Sequence, residues 1–370
     1  MKVMELCLSD GVGGLELYAL RTARELAARG ADCIAVVGES GMLSERMPES
    51  GVRTLRVRRS RAFMPLLVAN RLARIIDREA VDVVHMHWGK DLTTAVLAKT
   101  LARWPVKLVY TRQMMITRPK HDIYHRFLYR HVDLFLTITD QLLELAREYL
   151  PLPSASIRRL YYGVDAPPTD ASADRVALRT SLGVRNPQQF VVGLVGRIEE
   201  GKGQHVLIDA LGELKAEGVS ACAVIVGPKM TEAWFERLVQ QSRDLGLADE
   251  VVFYGAHPNP TQIMPAFDVV VLTTKKETFG LVLIEAMRSG VAVIGTDAGG
   301  VPEIIDHDRT GLLVTPGSAH DLAEKLRALY EDEGYRKRLA QAGKEKADRL
   351  FSTESHYAQL FAYLNELVTT

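Results

Sequence analysis

Residues 268–295 read DVVVLTTKKETFGLVLIEAMRSGVAVIG. Two apolar runs of strand length, DVVVLT and VAVIG, enclose a segment of helical pattern that ends near Ser289-Gly290. A strand buried on both faces reads as a continuous apolar run, and parallel strands need a crossover between them, usually a helix. The same alternation continues in both directions. Toward the C-terminus GLLVT (311–315) is followed by helical stretches from Asp321 to Leu367. Toward the N-terminus come EVVFYG (250–255), ACAVIV (221–226) and FVVGLV (190–195). Before these, residues 151–174 are rich in Pro, Ser, Ala and Asp and read as a linker with one short strand inside. Ahead of the linker the pattern resumes with VMELCL (3–8), CIAVV (33–37), DVVHM (82–86), KLVY (107–110) and LFLTI (134–138). Helical stretches such as Leu15–Arg29 and Leu92–Arg103 lie between them. The prediction is an α/β protein of two doubly wound domains in tandem, residues 1–165 and 166–350, with a cleft between them. In such sheets ligands bind outside the carboxyl ends of the strands, so the loops after strands are where chemistry is sought.

The bulk composition fits this class. The 370 residues are 47% hydrophobic and 25% charged, as in soluble globular proteins. No run approaches the roughly 18 apolar residues of a spanning helix. The first ten residues, MKVMELCLSD, lack the apolar core of a signal peptide. Cys7, Cys33 and Cys222 have no metal or disulfide spacing and are expected as buried thiols. The cytoplasm is the expected compartment, with peripheral attachment at the inner face of the membrane as the variant. Net charge is zero but uneven: residues 1–165 hold 25 Lys and Arg against 18 Asp and Glu. Part of this excess is the run Arg53, Arg56, Arg58, Arg59 and Arg61. It reads either as a surface for an anionic partner or as ordinary solvated arginine. No nucleic-acid partner is expected.

Four strings carry chemistry. DGVGGLE (10–16) follows the first strand and opens a helix. The dinucleotide fingerprint would put its third glycine at position 16, where Glu16 stands, so a dehydrogenase is disfavoured. The turn offers free N–H groups to a phosphate or sugar, or is only a tight strand–helix turn. GRIEEGKG (196–203) copies the spacing of a phosphate loop, but Gly203 replaces the Ser or Thr that would hold Mg²⁺. Arg197 and Lys202 remain able to reach a diphosphate, one as a planar fork and one as a point charge. Alternatively both are solvated beside Glu199 and Glu200.

In ETFGLVLIE (277–285) one carboxylate lies in a loop and another about a turn into a helix. Helix-start N–H groups are expected at Phe279, Gly280 and Leu281. Two acids around an anion site are counterproductive unless the ligand also has many hydroxyls, and a nucleoside diphosphate sugar has both. The bland reading is a surface acid plus a helix-interior Glu. In DVVHMHW (82–88) two histidines stand at i, i+2 where a strand ends. They read as a polar active-site pair, a metal pair short of further ligands, or core histidines.

In this order the strings resemble glycosyltransferase family 4, retaining enzymes of the GT-B fold. The likeness spans nearly the whole chain and is most specific over residues 277–316, the E-x7-E element and the glycine-rich segment after it. YYGVDAPP (161–168) also fits. The resemblance implies two Rossmann-like domains facing across a cleft, the first binding acceptor and the second donor, with the C-terminal helix 351–370 returning to the first. It implies transfer from a UDP- or GDP-sugar to a glycan or glycolipid, with retention and without metal or other cofactor. The setting it implies is lipopolysaccharide, capsule or exopolysaccharide assembly. A sugar-nucleotide epimerase or hydrolase, and a non-catalytic sugar-nucleotide binder, are the alternatives. By residue, it implies that Arg197 and Lys202 hold the diphosphate and Glu285 the ribose. Glu277, with the backbone of Phe279, Gly280 and Leu281, grips sugar and phosphate. Gly13 and Gly14 line the cleft, and His87 faces the reacting sugar. His87, Arg197, Lys202 and Glu277 are thus the catalytic set. The chain departs from the family at Thr273-Thr274-Lys275-Lys276, where Pro is frequent, at Tyr162 in place of Asn, and at Thr111-Arg112-Gln113, where His is common. Arg112, Arg118 and Lys120 lie among aromatics in the acceptor domain and are the acceptor-binding candidates. With the arginine run they face an acidic glycolipid or an anionic membrane surface, unless they form a solvated basic helix.

Overall fold

The computed structural model describes residues 1–59, 65–167 and 174–369. It divides into two compact units. Unit 1 comprises Met1–Tyr161 and Glu354–Thr370, and unit 2 comprises Tyr162–Thr353.

Unit 1 is built on seven parallel strands: β1 (Lys2–Cys7), β2 (Asp32–Gly38), β3 (Arg53–Val57), β4 (Val83–Met86), β5 (Lys107–Arg112), β6 (Leu134–Thr137) and β7 (Ile157–Arg159). Their order is β3-β2-β1-β4-β5-β6-β7. In the register, Met4 pairs with Ile34 on one side and with Val84 on the other. The order reverses between β1 and β4, and such a switch point leaves a crevice at the carboxyl ends of the strands. Both faces of the sheet are covered, which is why β1, β2 and β4 are almost wholly apolar. One face packs Cys7, Ala35 and Val37 against Ala19, Ala23 and Leu43. The same face, further toward the start of the strands, packs Val3, Val83, Val109 and Leu136 against Tyr357, Leu360 and Leu364 of the helix Thr353–Thr369.

β3 was not expected as a strand. Its sequence RTLRV coincides with the start of the arginine run, and it lies at the sheet edge with charged side chains exposed. An edge strand can carry such charge because only one side is paired, and charge there blocks unwanted pairing. Arg53 forms a fork on Glu79 at 2.9 and 3.0 Å, and Arg56 donates to the Ser44 carbonyl. These two arginines therefore stabilise the fold locally. Arg61 lies outside the described residues.

Unit 2 has six parallel strands in the order β10-β9-β8-β11-β12-β13. They are β8 (Phe190–Val195), β9 (Ala221–Val226), β10 (Val251–Gly255), β11 (Val269–Leu272), β12 (Ala292–Thr296) and β13 (Leu312–Val314). One face packs Val192, Ile225, Val269 and Ile294 against Leu207, Leu211, Leu322 and Leu326 of the helices Gln204–Ala216 and Ala319–Glu331. All three cysteines are free and buried. Among the described residues no helix is long and apolar enough to cross a membrane.

Candidate functional site

In unit 2 the loops after β8 and β11 meet backbone to backbone. Gly203, at φ +71°, ends the first loop and opens the helix Gln204–Ala216. A Cβ at that position would stand 2.3 Å from the Thr273 carbonyl oxygen. Thr273 in turn donates to the carbonyls of Lys202 at 2.9 Å and Gly203 at 3.0 Å. The glycine that removes a metal-binding hydroxyl from the loop is thus the residue that lets the two loops touch. Gln204, fully buried, donates to the Arg197 carbonyl at 2.8 Å and fixes the loop from below.

The result brings Lys202 and Glu277 together, with Lys202 Nζ donating to Glu277 Oε2 at 3.1 Å. The pair is partly buried, at 25% and 19% side-chain exposure. Glu277 Oε1 also accepts from Thr278 N at 3.1 Å. Arg197 is more open, at 57%, and reaches Glu199 at 2.9 Å. A cation and a carboxylate side by side present both an anion-binding donor and an acceptor for hydroxyls.

The helix after Glu277 starts later than the sequence suggested. It spans Leu281–Arg288, with Gly280 as its N-cap in the left-handed region at φ +99°. The N–H groups at the helix start without an intrahelical partner are therefore those of Gly280, Leu281 and Val282, and Phe279 lies before the helix. The left-handed turn at Gly280, which sets the start, has no signal in the neighbouring residues. Phe279 instead buries its ring against Phe351 and Tyr162, at centroid distances of 5.8 and 6.2 Å. Tyr162, the departure from the family's Asn, is thus a packing partner of the loop. Glu285 sits one turn into the helix and is half-buried.

In unit 1, Gly13 is the N-cap of the helix Gly14–Ala28. A Cβ on Gly14 would meet nothing within 4 Å. Glu16 is buried and folds back under this turn to accept from the Ser9 hydroxyl. Its carboxylate stands where a dinucleotide fingerprint has its last glycine, which agrees with the exclusion of a dehydrogenase.

Sequence reasoning missed the residue that organises the two histidines. Glu5, fully enclosed within β1, accepts from His85 Nδ1 at 2.9 Å and from His87 Nε2 at 2.6 Å. His85 Nε2 contacts the Thr111 hydroxyl at 2.7 Å. Burial alone would raise the Glu5 carboxyl, but His85 and His87 outweigh it and hold it down to about 2. An ionised carboxylate only accepts, so His85 Nδ1 and His87 Nε2 both bear protons. Burial, with His85 nearby, keeps His87 below its ordinary value, against the opposing pull of Glu5. His87 is 1% exposed, and its Nδ1 has no partner in the structure. The imidazole therefore offers a lone pair at Nδ1. The three side chains lie close enough to share a cation. Both carboxylate oxygens and the facing ring nitrogens are already engaged with one another, and the arrangement reads as a hydrogen-bonded triad. The signal available in the sequence was a lone acid in an otherwise apolar strand.

Of the acceptor candidates, Arg112 and Lys120 line one cavity of about 520 Å³ outside the ends of β4 and β5. Arg112 is partly committed to its own loop, donating to Tyr110 Oη at 2.9 Å and to the carbonyls of Met114 and Met115 at 2.8 and 3.1 Å. Arg118 is exposed and is not among the residues that line this cavity, although it lies near enough to Lys120 to act on its charge.

Comparison with known proteins bears on the whole chain. The family described as "Glycosyltransferase Family 4" matches residues 12–166, and "Glycosyl transferases group 1" matches residues 182–346. The chain belongs to glycosyltransferase family 4. Among its relatives is the N-acetyl-alpha-D-glucosaminyl L-malate synthase of Bacillus anthracis, 25% identical over 359 residues, covering 94% of this chain and 92% of that protein. Another is the lipopolysaccharide core biosynthesis mannosyltransferase LpsB of Rhizobium meliloti, 27% identical over 282 residues and 75% of each chain. The glycosyltransferase is also similar to Anabaena Alr3699/HepE. The crystal structure of that protein in complex with UDP matches at TM-score 0.86 and 26% identity, over 99% of this chain and 100% of the other. A complex of HepE with UDP-glucose matches at TM-score 0.79. The two parallel-sheet Rossmann-like units of the glycosyltransferase are those of the GT-B fold.

Proposed function

We propose that this glycosyltransferase moves a sugar from a UDP- or GDP-linked donor to a glycan or glycolipid acceptor, with retention and without a metal, in assembly of lipopolysaccharide, capsule or exopolysaccharide. The observation that carries the donor reading is the Lys202–Glu277 pair at 3.1 Å, set beside the helix start at Gly280 and Leu281. The HepE complexes with UDP and UDP-glucose support a uridine donor, and the LpsB relative supports a lipopolysaccharide setting.

In the reaction the bond between the anomeric carbon and the diphosphate oxygen breaks, and a bond to the acceptor oxygen forms. The nucleoside diphosphate leaves with the electron pair, and its phosphate takes the acceptor proton. Lys202 and Arg197 would stabilise the charge that grows on the leaving group, the role that Mg²⁺ plays elsewhere. Glu277 would accept from donor-sugar hydroxyls and Glu285 from the ribose. His87, neutral and with Nδ1 open, would accept a hydrogen bond from the reacting sugar.

Calorimetric titration with UDP-glucose, GDP-mannose and ADP-glucose tests the donor site. A uridine donor should bind, and Glu285→Ala should weaken it by about 1.5–3 kcal/mol. If none binds better than free phosphate, the donor reading is wrong. Turnover of the bound donor should be unchanged by EDTA; loss of turnover that Mg²⁺ or Mn²⁺ restores would remove the metal-free part of the reading.

A further inference from the structure

The cavity outside β4 and β5 has an unusual lining. Arg59, Lys90, Arg112 and Lys120 contribute to it, and among the described residues no carboxylate does. Two of these cations flank one ring: Arg59 stands 4.3 Å and Lys90 5.1 Å from the Trp88 centroid. Two acids next to lining residues in the sequence are occupied elsewhere. Asp91 turns inward to accept from Leu8 N at 2.8 Å, and burial pushes its carboxyl up to about 7. Asp122 caps the helix Ile123–Tyr129 and pairs with His125. Burial and the neighbouring guanidinium groups of Arg118 and Arg112 lower Lys120, and Asp122 only partly opposes them. Lys90, Arg112 and Lys120 converge on this cavity, while Arg59 at its edge also faces Asp10 and Glu39 of a neighbouring cavity; the crowding of cations costs free energy that an entering anion relieves. The rest of the wall can meet a polyol. Tyr124 supplies a ring face, and Thr93, Thr94 and Thr117 supply hydroxyls.

We propose that this cavity is the acceptor site and that it selects acceptors bearing a phosphate monoester, with Arg59, Lys90 and Lys120 reading the phosphate beside the Trp88 ring that two of them cover. The proposal rests on the glycosyl-transfer reading and names the acceptor class for it. A dianionic phosphate matches several cations better than a single carboxylate does. Arg112 commits two of its five N–H groups to the loop 113–116 and one to Tyr110 Oη, and has two left for the ligand. The same headgroup chemistry occurs in a free sugar phosphate and in an anionic lipid, and the test separates these sources.

Trp88 is a built-in reporter. With Trp104→Phe and Trp234→Phe as background, glucose 6-phosphate should change Trp88 fluorescence saturably in the presence of saturating UDP, and glucose should not. Lys90→Met with Lys120→Met should weaken the glucose 6-phosphate response about tenfold or more, while UDP affinity stays the same. An equal response to glucose, or an undiminished response in the double variant, would overturn the proposal. So would absence of any sugar-phosphate response together with lysine-dependent binding to phosphatidylcholine vesicles containing one quarter phosphatidic acid, because the cations would then serve a membrane surface. Vesicle binding that glucose 6-phosphate competes away supports the proposal and identifies a lipid-linked acceptor. Loss of UDP binding alone, with the sugar-phosphate response intact, would count against the donor reading and leave this one standing.

Discussion

Glu5 shows what a single buried charge does in this protein. It lies inside a parallel sheet, yet two histidines keep it ionised by holding its carboxyl down to about 2. The sign of its pH effect follows from that depression. Its stabilisation is complete above its ordinary value of 4.5 and is lost as pH falls toward 2. His356 behaves in the same sense at higher pH. Burial lowers it from 6.5 to about 4, so the unfolded chain takes up a proton over that interval and the native state does not. Unit 1 should therefore lose stability below pH 6.5, first through His356 and then through Glu5. In Glu5→Gln the amide can accept from one imidazole but must donate to the other, which forces one histidine into the opposite tautomer. Denaturant unfolding at pH 7 should show a loss of about 3 kcal/mol, with a flatter profile between pH 4.5 and 2. A variant as stable as the parent, with the same acid limb, would show that the triad does not hold the sheet. Glu5 was legible only as an anomaly. An acid inside VMELCL demands a partner, but the partners are about 80 residues away, and only the pairing of β1 with β4 brings them to it.

At the scale of elements, the glycine-rich segment after β12 explains the position of Glu277. Gly300 N donates to the Glu277 carbonyl at 3.1 Å, and a Cβ on Gly299 would stand 1.8 Å from that same oxygen. Gly299 is also left-handed, at φ +62°. Gly299→Ala must move the loop that carries Glu277, and with it the contact to Lys202. Strain at such a site costs of order 1–3 kcal/mol, small enough for the unit to remain folded. The expected outcome is a loss of about tenfold or more in kcat/KM for the donor, with a thermal melt only slightly lowered. A fully active variant would separate the glycine segment from the donor loop. In the sequence the two glycines read as part of a family string, and their physical role was hidden because it depends on a contact between loops. The same limit applies to β3. The central strands were legible because burial on both faces makes them apolar, whereas the RTLRV edge has charge, and composition alone described it as a basic surface. Among the described residues of the arginine run, only Arg59, just beyond that strand, reaches the cavity wall.

At the scale of the molecule, the two parallel sheets follow from the repeated strand–helix alternation, but the closure of unit 1 does not. The chain leaves unit 1 at Tyr161 and returns to it at Glu354. The returning helix places Tyr357, Leu360 and Leu364, all fully buried, against Val3, Val83, Val109 and Leu136. Its ends are fixed by Arg29 on Glu354 at 2.5 Å and by an Arg158 fork on Glu366 at 2.6 and 2.7 Å. Tyr18 Oη and His356 Nε2 meet beneath it at 3.0 Å. Three large side chains buried at roughly 1.5–3 kcal/mol each supply about 5–9 kcal/mol, which is comparable to the whole stability of an ordinary domain. A chain ending at Thr353 should therefore fail in unit 1 alone. Hydrogen exchange should show β1 and β4 exchanging as in an unfolded chain, while β8, β11 and β12 keep their protection. The full-length variant Leu360→Ala with Leu364→Ala should shift in the same direction and by less, since Tyr357 and both arginine contacts remain. Undiminished protection of β1 and β4 in the shortened chain would mean that the sheet of unit 1 is stable without this cover, and the helix would then be an addition to the fold and no part of its core.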